Sequence, residues 1–120
     1  LEKGCYIEPT LFTDVTPNMR IAQEEIFGPV LSVLTYKTEE EAIAIANNSN
    51  FGLFGAVFSN DKDAVYRIAR AVRTGTISQN SFRFDSALPF GGFKASGIGR
   101  EGGIEGLKGY VETKSIILDA

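Results

Sequence analysis

The residues able to do chemistry gather in two stretches of this 120-residue chain. The first is Glu24-Glu25-Ile26-Phe27-Gly28-Pro29-Val30. Two adjacent carboxylates stand beside an aromatic ring and a Gly-Pro turn. A carboxylate offers two oxygens and can accept from a pair of neighbouring hydroxyls. The other reading is two solvated glutamates and a core phenylalanine before a turn, because exposed carboxylates are common. The second stretch is Pro89-Phe90-Gly91-Gly92-Phe93-Lys94-Ala95-Ser96-Gly97-Ile98-Gly99-Arg100-Glu101. Gly-rich backbone is costly to order and is kept where chain must approach something closely. It is either a binding loop or a tight crossover between packed elements. Just ahead of it, Phe82, Phe84, Leu88 and Phe90 cluster around Asp85. On a long loop such side chains line an apolar pocket or form a small satellite core.

Other chemistries are closed to these residues. The chain has no histidine, which excludes Ser-His and Cys-His nucleophile pairs built within it and leaves no histidine ligands for a metal. Its one cysteine, Cys5, makes no internal disulfide, which implies a reducing compartment. No neighbour beyond Lys3 is placed by sequence to activate that thiol. Net charge is −3, and nothing in it favours nucleic acid or an anionic membrane. No apolar run approaches the ~20 residues of a membrane span, and no signal-peptide pattern is present.

The elements that must position these stretches follow from periodicity. Residues 1–19 read as irregular or edge-strand chain, with Pro9 interrupting a β-prone run. Residues 30–36 form a near-continuous apolar run that suits a strand covered on both faces. Thr38 and Glu41 have capping-box spacing, which predicts a helix to about Asn47 burying Ala42, Ile43 and Ala46. Residues 54–58 read as a second strand. Asn60 or Ser59 then caps a helix whose apolar stripe is Ala64, Val65, Ile68, Ala69 and Val72. Gly75 closes it, and 76–80 read as a third strand. Strand–helix–strand–helix–strand predicts an α/β open sheet with a parallel βαβαβ core. A long Gly-rich excursion follows, with a short helix near 102–108 and a partly polar final strand at 110–118, an edge strand or one donated to another subunit.

Gly97-Ile98-Gly99-Arg100-Glu101-Gly102 fits G-x-G-x-x-G literally, but a dinucleotide fingerprint needs a strand immediately before it inside a βαβ unit. The residues ahead of it do not read as a strand. A phosphate-binding role is therefore not expected.

Taken together, Pro89-Phe90-Gly91-Gly92-x-Lys94-x-Ser96-Gly97-x-Gly99-Arg100-Glu101 resembles the C-terminal signature of the NAD(P)-dependent aldehyde dehydrogenases. Glu24-Glu25-Ile26-Phe27-Gly28-Pro29-Val30, Ala46-Asn47-Asn48-Ser49 with Phe51-Gly52-Leu53, and Gly75-Thr76 leading to Asn80 match the same family in order and spacing. The resemblance covers about the last quarter of a typical member. It implies that Glu25 accepts from the hydroxyls of the nicotinamide-side ribose of NAD or NADP, and that Phe27 packs beside the nicotinamide. It implies that Phe82, Phe84 and Phe90 belong to the wall of the aldehyde tunnel. Arg100 and Glu112 are expected at an oligomer interface, where they could pair. The family's nucleophilic cysteine, base glutamate, oxyanion-hole asparagine and nucleotide-binding sheet lie outside this segment.

The expected organisation is 1–95 as the C-terminal half of a catalytic domain, 96–109 as a return segment and 110–120 as an oligomerisation strand. The chain begins at Leu1 with Met19 its only methionine, and it reads as a piece of a longer polypeptide. Its expected partners are an aldehyde, the N-terminal portion of the same polypeptide and further copies in a homo-oligomer. The expected location is cytoplasmic. By itself the chain should not catalyse. The reading from a different class is a standalone α/β assembly or binding module, in which Glu25 would be expendable and the last strand essential.

Overall fold

A computed structural model describes residues 3–119. The chain divides into two compact units, 1–50 and 51–120.

In the first unit, strand β1 (Thr10–Phe12) pairs in parallel with β2 (Val30–Ser32), Thr10 opposite Val30 and Phe12 opposite Ser32. A single helical turn, α1 (Arg20–Gln23), lies on the crossover between them. Helix α2 (Glu39–Asn47) follows. Its start is fixed by sequence: the Glu41 N–H donates to Thr38 Oγ1 at 3.2 Å, while the Glu41 carboxylate accepts from the Lys37 N–H at 2.7 Å. This is a capping box with its return bond displaced by one residue. Glu39, Glu40 and Glu41 stand in the first turn, where the helix dipole favours negative charge. Ala42, Ile43 and Ile45 are half-buried; Ala46, expected inside, is exposed. Asn48 takes the C-cap.

The second unit is a βαβ crossover followed by the Gly-rich excursion. Strand β3 (Phe54–Val57) pairs in parallel with β4 (Thr76–Gln79), and helix α3 (Lys62–Ala71) connects them. The α3 cap is Asp61, not Asn60 or Ser59. Its carboxylate accepts from the Asp63 and Ala64 N–H groups at 2.9 and 3.1 Å. Ser59 instead supports the cap, its hydroxyl accepting from the Asp61 N–H at 3.1 Å. The predicted stripe faces inward: Val65 is buried and Ala64, Ile68, Ala69 and Val72 are half-buried. The helix ends at a Val72 C-cap, ahead of Gly75. Gly75 has another task. A side chain there would run into the carbonyl oxygen of Gly91, so only glycine lets these two backbones touch.

The α/β class therefore holds, with parallel pairing and helical crossovers. Within the units the pairing is parallel throughout, β1 with β2 in the first and β3 with β4 in the second. A strand has two edges, and β1, read from sequence as irregular or edge chain, occupies one edge of β2. The apolar run 30–36 is paired only at its start, with the Val33 N–H still reaching the Phe12 carbonyl at 2.9 Å. A 3-10 turn (Lys94–Ser96) and helix α4 (Gly103–Lys108) complete the excursion. No strand is formed over 111–119 among the described residues. That segment is exposed, including Ile116, Ile117 and Leu118. Among the described residues, only Val15 and Val65 are buried large apolar side chains.

Candidate functional site

In the first unit the two carboxylates part company. Helix α1 places Arg20 four residues before Glu24. The Arg20 Nε and Nη2 donate to the two Glu24 oxygens at 2.8 Å each. The bond from Arg20 holds the Glu24 carboxyl below its ordinary range and raises the guanidinium in turn. Glu25 has no such partner among the described residues, and its side chain is exposed. One glutamate of the pair is bound and the other is left open.

The turn that carries Glu25 is anchored at both ends. On one side the Gln23 side-chain amide donates to the Pro17 carbonyl at 2.7 Å and the Asn48 carbonyl at 2.9 Å, tying α1 to the end of α2. On the other the Val30 N–H returns to the Gly28 carbonyl at 2.7 Å, and the Thr10 N–H bonds the Pro29 carbonyl at 2.9 Å. Phe27 lies between them with φ 57°, a left-handed backbone unusual for a bulky side chain. The residue is 92% exposed. Holding phenylalanine there costs of order 1–3 kcal/mol, and such strain collects at sites that bind.

In the second unit Thr76, Ile77 and Ser78 of β4 form the floor of a cleft of about 330 Å³. Arg83, Phe84, Asp85, Leu88, Pro89 and Phe90 form its walls. The Phe84 and Phe90 rings meet edge to face, 5.4 Å between centroids, a favoured aromatic geometry. An Asx turn shapes this wall: Asp85 Oδ1 accepts from the Ala87 N–H at 2.9 Å, and the Leu88 N–H bonds the Asp85 carbonyl at 3.1 Å. The third phenylalanine expected here, Phe82, does not line the cleft. It stacks on Phe54, 4.1 Å between centroids.

The Gly-rich loop folds back on itself. Phe90 and Glu101 form an antiparallel bridge with both bonds at 2.7 Å. Arg100 Nη1 donates to the carbonyls of Gly92 and Gly99 at 2.9 and 2.7 Å. Its guanidinium also lies 5.2 Å from the centre of the Phe93 ring, and that of Arg73 lies 5.3 Å from the same ring. Arg100 and Glu112 form no ion pair among the described residues. The geometric reason is that Arg100 is turned inward, onto loop carbonyls. Residues 97–102 run from the 3-10 turn to the bridge at Glu101, and no strand immediately precedes them.

Cys5 is exposed. Among the described residues no group of three or more His, Cys, Asp or Glu side chains is gathered to hold a metal ion. No helix among them is long and apolar enough to cross a membrane. Sequence reasoning missed Gln23 and Ser96 as anchors. Neither carries a signal in residue type alone, because a lone amide or hydroxyl finds its partner only in three dimensions.

The comparisons with known proteins converge. A Staphylococcus saprophyticus protein whose name assigns it to the aldehyde dehydrogenases is 49% identical over 116 residues, 97% of this chain and 24% of its own length. A Mycobacterium tuberculosis aldehyde dehydrogenase solved with NAD+ superposes with a TM-score of 0.92 at 52% identity, over 95% of this chain and 24% of that one. Aldehyde dehydrogenase C of Pseudomonas syringae, a variant solved with NAD+ and octanal, gives 0.91 at 45% identity, over 96% of this chain and 24% of that one. The chain thus spans about a quarter of the length of the relatives it matches. The family model for the aldehyde dehydrogenases matches residues 1–116, and the chain belongs to that family.

Proposed function

We propose that this chain is the C-terminal part of an NAD(P)-dependent aldehyde dehydrogenase, an oxidoreductase that converts an aldehyde to a carboxylic acid. The observation that carries the reading is the division of labour between Glu24 and Glu25. Arg20 occupies one carboxylate, which leaves the other free to accept from two vicinal ribose hydroxyls. Phe27 offers an exposed ring two residues on, with apolar area for the nicotinamide-side group. NAD(P)+ supplies the hydride acceptor when bound. The protein's part is to orient it, and Glu25 and Phe27 are the contacts this chain contributes. The solved relatives above hold NAD+, which supports a nicotinamide dinucleotide as the cofactor.

The aldehyde passes along the cleft walled by Phe84 and Phe90. Phe82, which the resemblance also assigns to the tunnel wall, packs on Phe54 instead of lining this cleft. No residue of the chain acts as nucleophile or general base; those groups belong to the remainder of the polypeptide. Residues 110–120 serve as the oligomerisation segment, taking up strand pairing only against a second copy, and 110–119 are exposed for that role. Arg100 and Glu112 then lie at or near that interface. Residues 1–95 belong to the catalytic domain and 96–109 return the chain from it. A cytoplasmic setting suits the exposed thiol of Cys5.

The test is titration of NAD+ into the complete polypeptide carrying this chain, wild type against Glu25→Gln. The expected result is at least about tenfold weaker binding, the low end of the ~1.5–3 kcal/mol that a charge-assisted acceptor is worth, because the amide oxygen keeps an acceptor. Unchanged affinity would remove Glu25 from the cofactor site.

A further inference from the structure

Gly52 is where three segments of the second unit meet. It is buried, and a side chain on it would strike the Arg73 carbonyl oxygen and the Phe93 Cβ. Its carbonyl accepts from the Gly75 N–H at 3.1 Å and from the Phe93 N–H at 2.8 Å. Its own N–H donates to Ser96 Oγ at 3.0 Å. Gly75 leads directly into Thr76, Ile77 and Ser78, the floor of the aromatic cleft, and Phe93 follows closely on Phe90, its wall. One residue therefore ties the start of the floor to the loop that carries the wall.

We infer that Ser96 is a positioning residue for the aldehyde site: through Gly52 it fixes the spacing of Phe90 from the β4 floor, and so the width of the cleft. Ser96 does not itself line that cleft. The inference rests on the cleft being the aldehyde site. Removing the hydroxyl leaves a buried N–H without its acceptor, a penalty large enough to shift a short loop. The Gly92–Ser96 contact offers the loop no slack, because a side chain at Gly92 would already collide with the Ser96 backbone. Loop 90–101 is closed on itself by the Phe90–Glu101 bridge and by Arg100. It therefore moves as one body and carries Phe90 with it.

The experiment compares Ser96→Ala and Ser96→Thr in the complete polypeptide, with octanal and NAD+ as probes. The expected outcome for Ser96→Ala is an octanal KM raised about tenfold with kcat and the NAD+ KM little changed. Ser96→Thr, which keeps the acceptor, restores the octanal KM. A crystal structure of Ser96→Ala gives a reading independent of activity: the Phe84–Phe90 centroid distance should open beyond 5.4 Å. A ring pair that stays in place overturns the inference, as does a ring pair that parts while the octanal KM is unmoved. If the wild-type polypeptide oxidises no aldehyde, the functional reading fails instead, and the ring separation alone decides the role of Ser96.

Discussion

The Arg20 guanidinium grips both oxygens of Glu24 and leaves the next residue, Glu25, unclaimed. Two chemically identical neighbours thereby receive different tasks. Glu24→Gln should leave NAD+ affinity within about twofold, while Glu25→Gln weakens it at least about tenfold. Isothermal titration of the two variants in parallel checks the contrast, and equal losses would contradict it.

The same pair sets a pH dependence. Arg20 lowers the Glu24 pKa in the folded chain, first through the hydrogen bond and then through charge. A depressed folded pKa contributes stability above the ordinary carboxylate range, and that stability is lost as pH falls through the folded value. The α1 turn should therefore loosen only at pH below the usual glutamate titration. Added salt should weaken the pair further, because both side chains are exposed. Carboxyl chemical shifts followed through an acid titration give the midpoint directly; a Glu24 midpoint at or above that of a free glutamate would count against the pairing.

Thr38→Ala should fray the start of α2. The hydroxyl satisfies the Glu41 N–H, and losing a threonine cap costs about 1 kcal/mol. The Glu40 carboxyl is also held low, by its own backbone N–H first and by Thr38 second, and should titrate higher in the variant. Amide exchange over residues 39–42 measures the first effect. Unchanged protection would mean that the displaced capping bond from Lys37 to Glu41 suffices.

Gly75→Ala should be far more damaging than its size suggests. The added methyl would overlap the Gly91 carbonyl oxygen, and that contact is between two backbones, neither of which has a rotamer to give. Overpacking of this kind costs about 1–3 kcal/mol or more. Loss of soluble polypeptide, or a clear fall in its Tm, is the expected outcome; a variant as stable as wild type would show that the two backbones can separate.

The aromatic residues separate in the same manner. In the complete polypeptide, if the proposed function holds, Phe90→Ala removes a cleft wall and its edge contact with Phe84, so the octanal KM should rise about tenfold. Phe82→Ala loses only its stacking on Phe54, about 0.5–1.5 kcal/mol of stability, and should leave that KM within about twofold. Steady-state kinetics on the two variants test the assignment.

What the sequence made legible was what local chain chemistry decides. The Thr38 cap, the inward stripe of α3 from Ala64 to Val72, and a short helix after Gly102 all follow from spacing over a few residues. Pairing partners did not follow. The apolar run from Val30 identifies a strand, but nothing in it names Thr10–Phe12 as its neighbour. The Asp61 cap was missed because three cap-competent residues stand in a row, Ser59, Asn60 and Asp61, and only the backbone angles choose among them. Phe82 and Phe90 carry the same side chain on one loop, and only the fold separates the ring on Phe54 from the ring in the cleft. Resemblance to a family singled out Glu25 but did not distinguish it from Glu24 by environment; the structure adds that Arg20 bonds Glu24 and not Glu25.

Val15 and Val65 are the only buried large apolar side chains among the described residues and the rest are at most half-buried, so less apolar surface is newly wetted on unfolding than in a fully packed domain of this length. The heat-capacity increment of unfolding scales with that newly wetted area, and so does the steepness of a denaturant transition. In a calorimeter the 120-residue chain alone should therefore give a broad, shallow endotherm. Joined to the rest of an aldehyde dehydrogenase, the same residues should melt within a single sharp peak, their cooperativity supplied by surfaces that they do not themselves provide.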